Sequence, residues 1–300
     1  MGNQAEQIRL HPGTDSTLDE VGGARQVLKY PGSKAALRGE IIRHFPDHTT
    51  YVEAFGGGAS VLLFKTPSAV EYYNDLDGML ADFFRILREG GDELERLIHY
   101  VEFTPYSRNE LSKARKTLKG ACNDKVEYLR AMLVCAWMSR MAMIHDSTTG
   151  WLSHKADPKD VMRWNQLPDR LREAASRLKR VYIESRPAIQ VMKSLDGQET
   201  LFYLDPPYPK ATLNARNKID NYYRFNMSDD DHRELLAVAK TLKGKVIISG
   251  YRCRLYDQLL KSWYRVELAH STTAGTKKTE CLWMNFAPRS QLALSLGIDE

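Results

Sequence analysis

The run Leu201-Phe202-Tyr203-Leu204, followed at once by Asp205-Pro206-Pro207-Tyr208, restricts this chain more than any other stretch. A short apolar run closed by a turn signal suits a buried strand. Two successive prolines cannot continue a sheet, so the strand must stop there. It stops with a carboxylate, a stiff backbone carbonyl and an aromatic ring at its carboxyl edge. Carboxyl edges of parallel strands are where open α/β sheets bind their ligands. A planar set of acceptors beside a ring suits a flat heterocycle that carries an exocyclic amino group. Taken alone, the four residues also suit a proline-stiffened loop with a surface tyrosine.

Earlier in the chain, Thr50 to Phe55 has the composition of a strand and runs into Gly56-Gly57-Gly58, after which Ala59 to Lys65 reads as a helix. Strand, glycine turn and helix open a nucleotide-binding βα unit, because glycine lets the backbone approach a ligand where a Cβ would collide. A second strand over Ala69 to Tyr73 ends in Asn74-Asp75. An acid at that place is the expected partner of ribose hydroxyls, although it also suits a helix N-cap. The segment Leu76 to Arg180 turns to helical spacing, with Leu94, Leu97 and Ile98, then Leu129, Met132, Leu133 and Trp137. An irregular excursion over Ile144 to Trp164 interrupts it. Strands return at Val181 to Glu184, Leu201 to Leu204, Lys245 to Ser249, Tyr264 to Ala269 and Glu280 to Phe286. Between them, Asp229 to Leu242 reads as a helix that Ser228 and Asp231 open in capping-box spacing.

Charge is uneven along the 300 residues. Residues 106–180 carry 16 Lys and Arg against 8 Asp and Glu, leaving 27 against 30 elsewhere. This asymmetry implies a polyanionic partner met by the middle of the chain, against the plainer reading of a solvated helix surface. No apolar run approaches the roughly 20 residues needed to cross a bilayer, so no membrane partner is expected. The polar stretch 1–26 reads as a flexible leader without a signal peptide, and 289–300 as a tail. Cys122, Cys135, Cys253 and Cys281 show no CxxC spacing, which argues against a zinc site and fits a reducing cytosol. The expected organisation is an α/β core over 27–84 and 181–288, split by a basic, mainly helical insert over 85–180.

The order of these signals resembles the D12 class of DNA adenine-N6 methyltransferases, the group that includes the Dam enzymes. Lys29-Tyr30-Pro31-Gly32-Ser33-Lys34 is similar to the family's lead segment, and Glu53-Ala54-Phe55-Gly56-Gly57-Gly58 to its Glu-Pro-Phe-x-Gly-Gly-Gly motif, with Ala54 and one missing residue as departures. Asn74-Asp75 and the Asp-Pro-Pro-Tyr tetrapeptide follow. Tyr222 to Phe225, Asp231-His232, Ser249-Gly250-Tyr251 and Thr279 to Asn285 continue the succession. The resemblance covers about residues 27–85 and 181–287 and thins in the insert. It implies a Rossmann-like methyltransferase core, S-adenosylmethionine as methyl donor, no metal, and double-stranded DNA held by the insert as a target-recognition subdomain. It also implies a bacterial or phage-encoded cytoplasmic enzyme, either solitary or part of a restriction-modification pair. A monomer is expected, with a dimer left open.

On that resemblance Tyr30, Lys34, Glu53, Phe55, Gly57, Asp75 and Asp205 are the expected cofactor-binding residues. Lys34 would pair with the carboxylate of the cofactor's methionine moiety, and Tyr30 would pack beside it. Phe55 suits either the pocket wall or the core. Asp205, Pro206 and Tyr208 are the expected catalytic set. Asp205 and the Pro206 carbonyl would accept the two amino hydrogens of adenine, drawing its nitrogen towards a tetrahedral geometry, while Tyr208 stacks on a base rotated out of the duplex. Candidate DNA contacts are Arg108, Asn109, Lys113, Arg115, Lys116, Arg140 and Lys155, with His145, Arg163 and Trp151 near the irregular loop. Taken singly, each of these reads more readily as a solvated charge than as a base reader, since phosphate contacts and bystanders outnumber specific contacts. Two other readings stay open: cytosine-N4 methylation, and a non-catalytic nucleic-acid-binding protein on the same core. A nicotinamide-dependent oxidoreductase would explain the glycine turn and Asp75 but leave the tetrapeptide without a purpose.

Overall fold

The computed structural model describes residues 24–142, 144, 149–153, 158–212, 224–271 and 277–288. Seven strands form one sheet: β1 (Thr50–Glu53), β2 (Val70–Asn74), β3 (Val181–Glu184), β4 (Thr200–Leu204), β5 (Lys245–Gly250), β6 (Tyr264–Ser271) and β7 (Lys277–Met284). Their order across the sheet is β3-β2-β1-β4-β5-β7-β6. The first five are parallel, while β7 is antiparallel to both β5 and β6. The chain moves outward from β1 through β2 to β3, then returns to begin again at β4. The carboxyl ends of β1 and β4 therefore form the topological switch point where such sheets bind ligands.

Alternation along the strands divides the core into two faces. Tyr51, Tyr73, Leu201, Tyr203 and Ile247 point to one, and Val52, Phe202, Leu204, Val246 and Ile248 to the other. The second face is covered by α9 (Ala188–Ser194), α10 (Asp229–Ala239) and α11 (Arg254–Leu259), with Ser228 and Asp231 forming the expected capping box on α10.

The first face carries α1 (Arg38–Arg43), α2 (Ser60–Phe64), α3 (Gly78–Glu89), α4 (Gly91–Glu102), α5 (Arg108–Lys119), α6 (Lys125–Met138), α7 (Lys159–Asn165) and α8 (Leu167–Leu178). The expected insert boundary at 84/85 falls inside α3, whose Phe83, Phe84, Ile86 and Leu87 are all buried, so the boundary cuts a continuous helix. The helices between α3 and α8 do not build a core of their own. Leu97, Leu129, Trp137 and Leu171 belong to the same buried cluster as Tyr73 and Leu201. α8 lies back on the sheet, where Arg177 donates to both oxygens of Glu71 on β2 at 2.6 and 2.9 Å. Glu71 also accepts from Lys65 at 2.5 Å.

The lead segment before α1 is sewn into the same helices. The Trp137 indole N–H donates to the Val27 carbonyl at 3.0 Å, and the Lys29 ammonium lies 4.6 Å from the centre of the Trp137 ring. Lys29 also reaches Asp160 on α7 at 3.8 Å, and Arg25 pairs with Glu173 on α8 at 2.6 Å.

Candidate active site

The glycine turn after β1 is shaped by what lies under it. A Cβ at Gly56 would stand 2.1 Å from the Tyr73 ring, and Gly57 adopts φ +48°, so neither position admits a side chain without displacement. The Gly57 N–H donates to Asp75 Oδ2 at 2.8 Å, and the Tyr73 hydroxyl donates to the Gly57 carbonyl at 2.9 Å. The other oxygen of Asp75 accepts from the Asp77 amide at 2.8 Å. Burial pushes the Asp75 carboxyl up to about 6, while these two amide bonds hold it back. Asn74 bridges the neighbouring strand ends through the Ala54 and Arg186 carbonyls and the Arg186 amide.

A cleft opens above this turn. Its apolar wall includes Tyr30, Phe55, Leu76 and Phe225, and its polar groups include Ser60, Asp75, Asp77 and Asp205. Leu76 and Phe225 are 48% and 42% exposed, a large apolar surface to leave at a cleft mouth unless a flat ligand covers it. Arg224 donates to Asp77 at 2.9 Å and so brings the segment containing Phe225 to the end of β2.

At the end of β4 the four residues of the opening motif meet a buried cation. Lys34 Nζ donates to Asp205 Oδ1 and Oδ2 at 2.6 and 2.7 Å, to the Tyr208 oxygen at 2.8 Å and to the Gly32 carbonyl at 3.0 Å. The three partners match the three N–H donors of an ammonium. Burial alone would lower Lys34, but Asp205 and Glu280 outweigh it and push the amine well above the ordinary lysine range. Ser249 on β5 donates to Asp205 Oδ1 at 3.0 Å and lies 3.0 Å from the Tyr203 hydroxyl. The carboxylate is thus oriented from two sides, yet its side chain keeps 20% exposure at the cleft. A fixed, partly open acceptor can take a hydrogen from an amino group without reorganising.

A model of the family described as D12 class N6 adenine-specific DNA methyltransferase matches residues 30–274. The chain belongs to this family. It is therefore an enzyme of DNA adenine methylation, with DNA as its substrate and a methyl donor as its second reactant. The match begins at Tyr30, in the lead segment, and spans the glycine turn, Asp75 and Asp205, the landmarks that carried the resemblance.

Within the methyltransferase, the structure brings Tyr30, Lys34, Phe55, Gly57, Asp75 and Asp205 to one cleft. Several placements differ from expectation. Lys34 does not offer its ammonium to the cleft: its donors are committed to Asp205, Tyr208 and Gly32, and a cofactor carboxylate would have to displace one of them. Pro206 is buried, and Pro207 is the proline that borders the cleft. Tyr208 is only 8% exposed, with its ring 4.6 Å from that of Tyr251, so one of its faces is already covered.

Glu53 lies beneath the turn and takes no place in the cleft wall. Its Oε1 accepts from the Tyr51 hydroxyl and the Leu62 amide, both at 3.0 Å, while Oε2 is buried without a hydrogen-bond partner among the described residues. Burial pushes this carboxyl up to about 8. The folded chain then keeps a proton that the unfolded chain releases near the ordinary carboxylate value. Glu53 therefore favours folding at low pH and loses that contribution as pH rises towards 8. Glu53→Gln should flatten this dependence: urea midpoints of variant and parent should diverge in the variant's favour as pH is raised from about 5 to about 8. Parallel curves would show Glu53 to be ionised throughout.

Of the basic residues named from sequence, Arg108, Arg115 and Lys116 line one surface cleft, joined by Lys119 and Trp151. Arg115 ties α5 to the loop by donating to the Thr149 carbonyl and, at 3.2 Å, to its hydroxyl. The Arg108 guanidinium lies 5.1 Å from the centre of the Trp151 ring. Among the described residues, no acid lines this cleft. Lys113 points elsewhere and pairs with Glu110 at 2.7 Å. Asn109, Arg140 and Arg163 are exposed outside the cleft. Lys155, His145 and Tyr222 fall outside the described residues. Among the described residues no helix is long and apolar enough to cross a membrane, and no three His, Cys, Asp or Glu side chains are grouped to hold a metal ion.

Phe225 and Ser249 lie in stretches that carry the resemblance, but the sequence assigns no site role to them, nor to Leu76 and Asp77, which the structure places at the cleft with Phe225, while Ser249 stands beside Asp205. Leu76 and Asp77 adjoin Asp75, so proximity to a strand end was the signal available. Ser249 lies one residue before the end of β5, in register with Leu282, and only the pairing of β5 beside β4 reveals its partner.

Proposed function

We propose that this methyltransferase transfers the methyl group of S-adenosylmethionine to N6 of an adenine rotated out of duplex DNA. The observation that carries the reading is Asp205: a carboxylate oriented by Lys34 and Ser249, partly open to a cleft that Asp75 bounds from the other strand. Asp75 faces the ribose hydroxyls with two oxygens already oriented by backbone amides, and Leu76 and Phe225 cover the cofactor's adenine ring. Asp205 accepts one hydrogen of the target amino group and localises its lone pair towards the methyl sulfonium. The sulfonium carries its own leaving group, and the proton departs after the nitrogen becomes cationic, so alignment and a water-poor site supply most of the acceleration. Removing the base from its stack costs a few kcal/mol, which contacts in the pocket offset.

Incubation with methyl-labelled S-adenosylmethionine and duplex DNA, followed by digestion to nucleosides, should place the label in N6-methyl-2′-deoxyadenosine. Label in N4-methyl-2′-deoxycytidine, or none, would reject the proposal.

DNA is held by the cleft of α5 and Trp151, where clustered cations meet phosphates. Replacing Arg108 and Lys116 together by alanine should weaken duplex binding and flatten the slope of log affinity against log salt by about two. Binding of the cofactor should not change. An unaltered salt slope would move the DNA to another face.

A further inference from the structure

Glu280 is 1% exposed at the catalytic edge and takes no direct part in the proposed methyl transfer. It reaches that edge because β7 runs antiparallel: Cys281 pairs with Gly250, which sets the preceding residue beside the carboxyl end of β5. Each of its oxygens stands 3.2 Å from the Tyr208 hydroxyl, and Oε1 lies 3.6 Å from Lys34 Nζ. Lys34 in turn donates to the Tyr208 oxygen at 2.8 Å.

The result is a directional chain from ammonium to phenol to carboxylate, and all three side chains are more than nine-tenths buried. Within such a chain each bond polarises the next. A phenol that accepts from one fixed group and donates to another has its ring plane fixed as well. Tyr208 is the ring at the end of the Asp-Pro-Pro-Tyr strand, with one face on Tyr251 at 4.6 Å. Glu280 also draws on the cation that binds Asp205, since Lys34 stands between the two acids. With Lys34 divided in this way, Asp205 is less fully neutralised and keeps acceptor strength for an amino hydrogen.

We propose that Glu280 is a positioning residue for methyl transfer. It fixes the Tyr208 ring beside the target base and shares Lys34 with Asp205, so that the catalytic carboxylate stays a strong acceptor. This inference rests on the adenine-N6 reading of the site.

The test compares single-turnover methylation of a duplex, at saturating S-adenosylmethionine and DNA, in Glu280→Gln, Tyr208→Phe and the double variant. Each single change should slow the chemical step about tenfold or more, as expected for loss of a charge-assisted bond. Dissociation constants for cofactor and DNA should stay within about twofold, the signature of an interaction used in the transition state alone. The double variant should be no slower than the slower single one, because both remove the same link.

A Glu280→Gln enzyme at the parental rate, or losses that multiply in the double variant, would overturn the proposal. If Glu280→Gln does not fold, Tyr208→Phe at the parental rate overturns it alone. A parent enzyme with no adenine methylation would reject the activity itself and this inference with it. An active parent beside an unimpaired Glu280→Gln rejects only the role of Glu280.

Discussion

Truncating Asp205 to alanine should lower single-turnover methylation by about a hundred- to a thousandfold, the scale seen when one preorganised electrostatic contact to a reacting centre is removed. The exocyclic nitrogen of adenine is a poor nucleophile because its lone pair is shared with the ring, and Asp205, just past the end of β4, is an acid that opens to the cleft. The fold should survive the change. Lys34 keeps the Tyr208 and Gly32 oxygens, and Glu280 remains 3.6 Å from its ammonium. Circular dichroism should therefore match the parent while the chemical step is lost. Activity within tenfold of the parent would remove Asp205 from the mechanism.

Lys34→Met should be the most damaging change to stability, with a loss of about 3–5 kcal/mol, because it removes one partner of a buried ion pair and leaves the other charges uncompensated. The loss should depend on pH in a defined direction. Burial pushes Glu280 up, and Lys34 is the main influence pulling it back. Without the cation that carboxyl rises further. The folded variant then holds a proton that its unfolded chain gives up, so the deficit against the parent is greatest at neutral and higher pH. It narrows as pH falls towards the ordinary carboxylate range of about 4. Urea denaturation of both proteins from about pH 5 to pH 8 measures this. A deficit that grows on acidification would mean the two acids are not the groups Lys34 supports.

Those two residues show where the sequence is legible and where it is not. Asp205 is legible because proline chemistry and strand composition alone fix its place at a strand end. Gly56 to Gly58 and Asp75 are legible for similar local reasons, as is the capping box of Ser228 and Asp231. Lys34 is legible as a site residue, but its protein partners are not. Its contacts lie 171 positions away at Asp205 and 174 at Tyr208, and nothing local reports them. Glu280 stands within a recognisable strand, yet its position at the catalytic edge follows from the antiparallel course of β7, which strand composition does not encode. Glu53 shows the opposite error: a motif residue beside a glycine turn looks like a ligand contact, and its alternate strand position instead turns it under α2. The basic helix α5 was legible as charge, but only packing separates Lys113, paired with Glu110, from Arg108 and Lys116 in the cleft.

The bond between Trp137 and the Val27 carbonyl bears on attempts to redirect this enzyme to another recognition sequence. Grafting the helices between α3 and α8 from a relative treats them as a detachable cassette. Here the strip that carries Tyr30 and Lys34 is anchored in those helices, through Val27 on Trp137 and Lys29 on Asp160, and on α8 through Arg25 on Glu173. A graft that leaves residues 25–29 behind would loosen the strip just ahead of Lys34, and the hybrid would lose methylation on every sequence before any new preference could be read. The transferable unit is discontinuous: the helices and the strip must travel together.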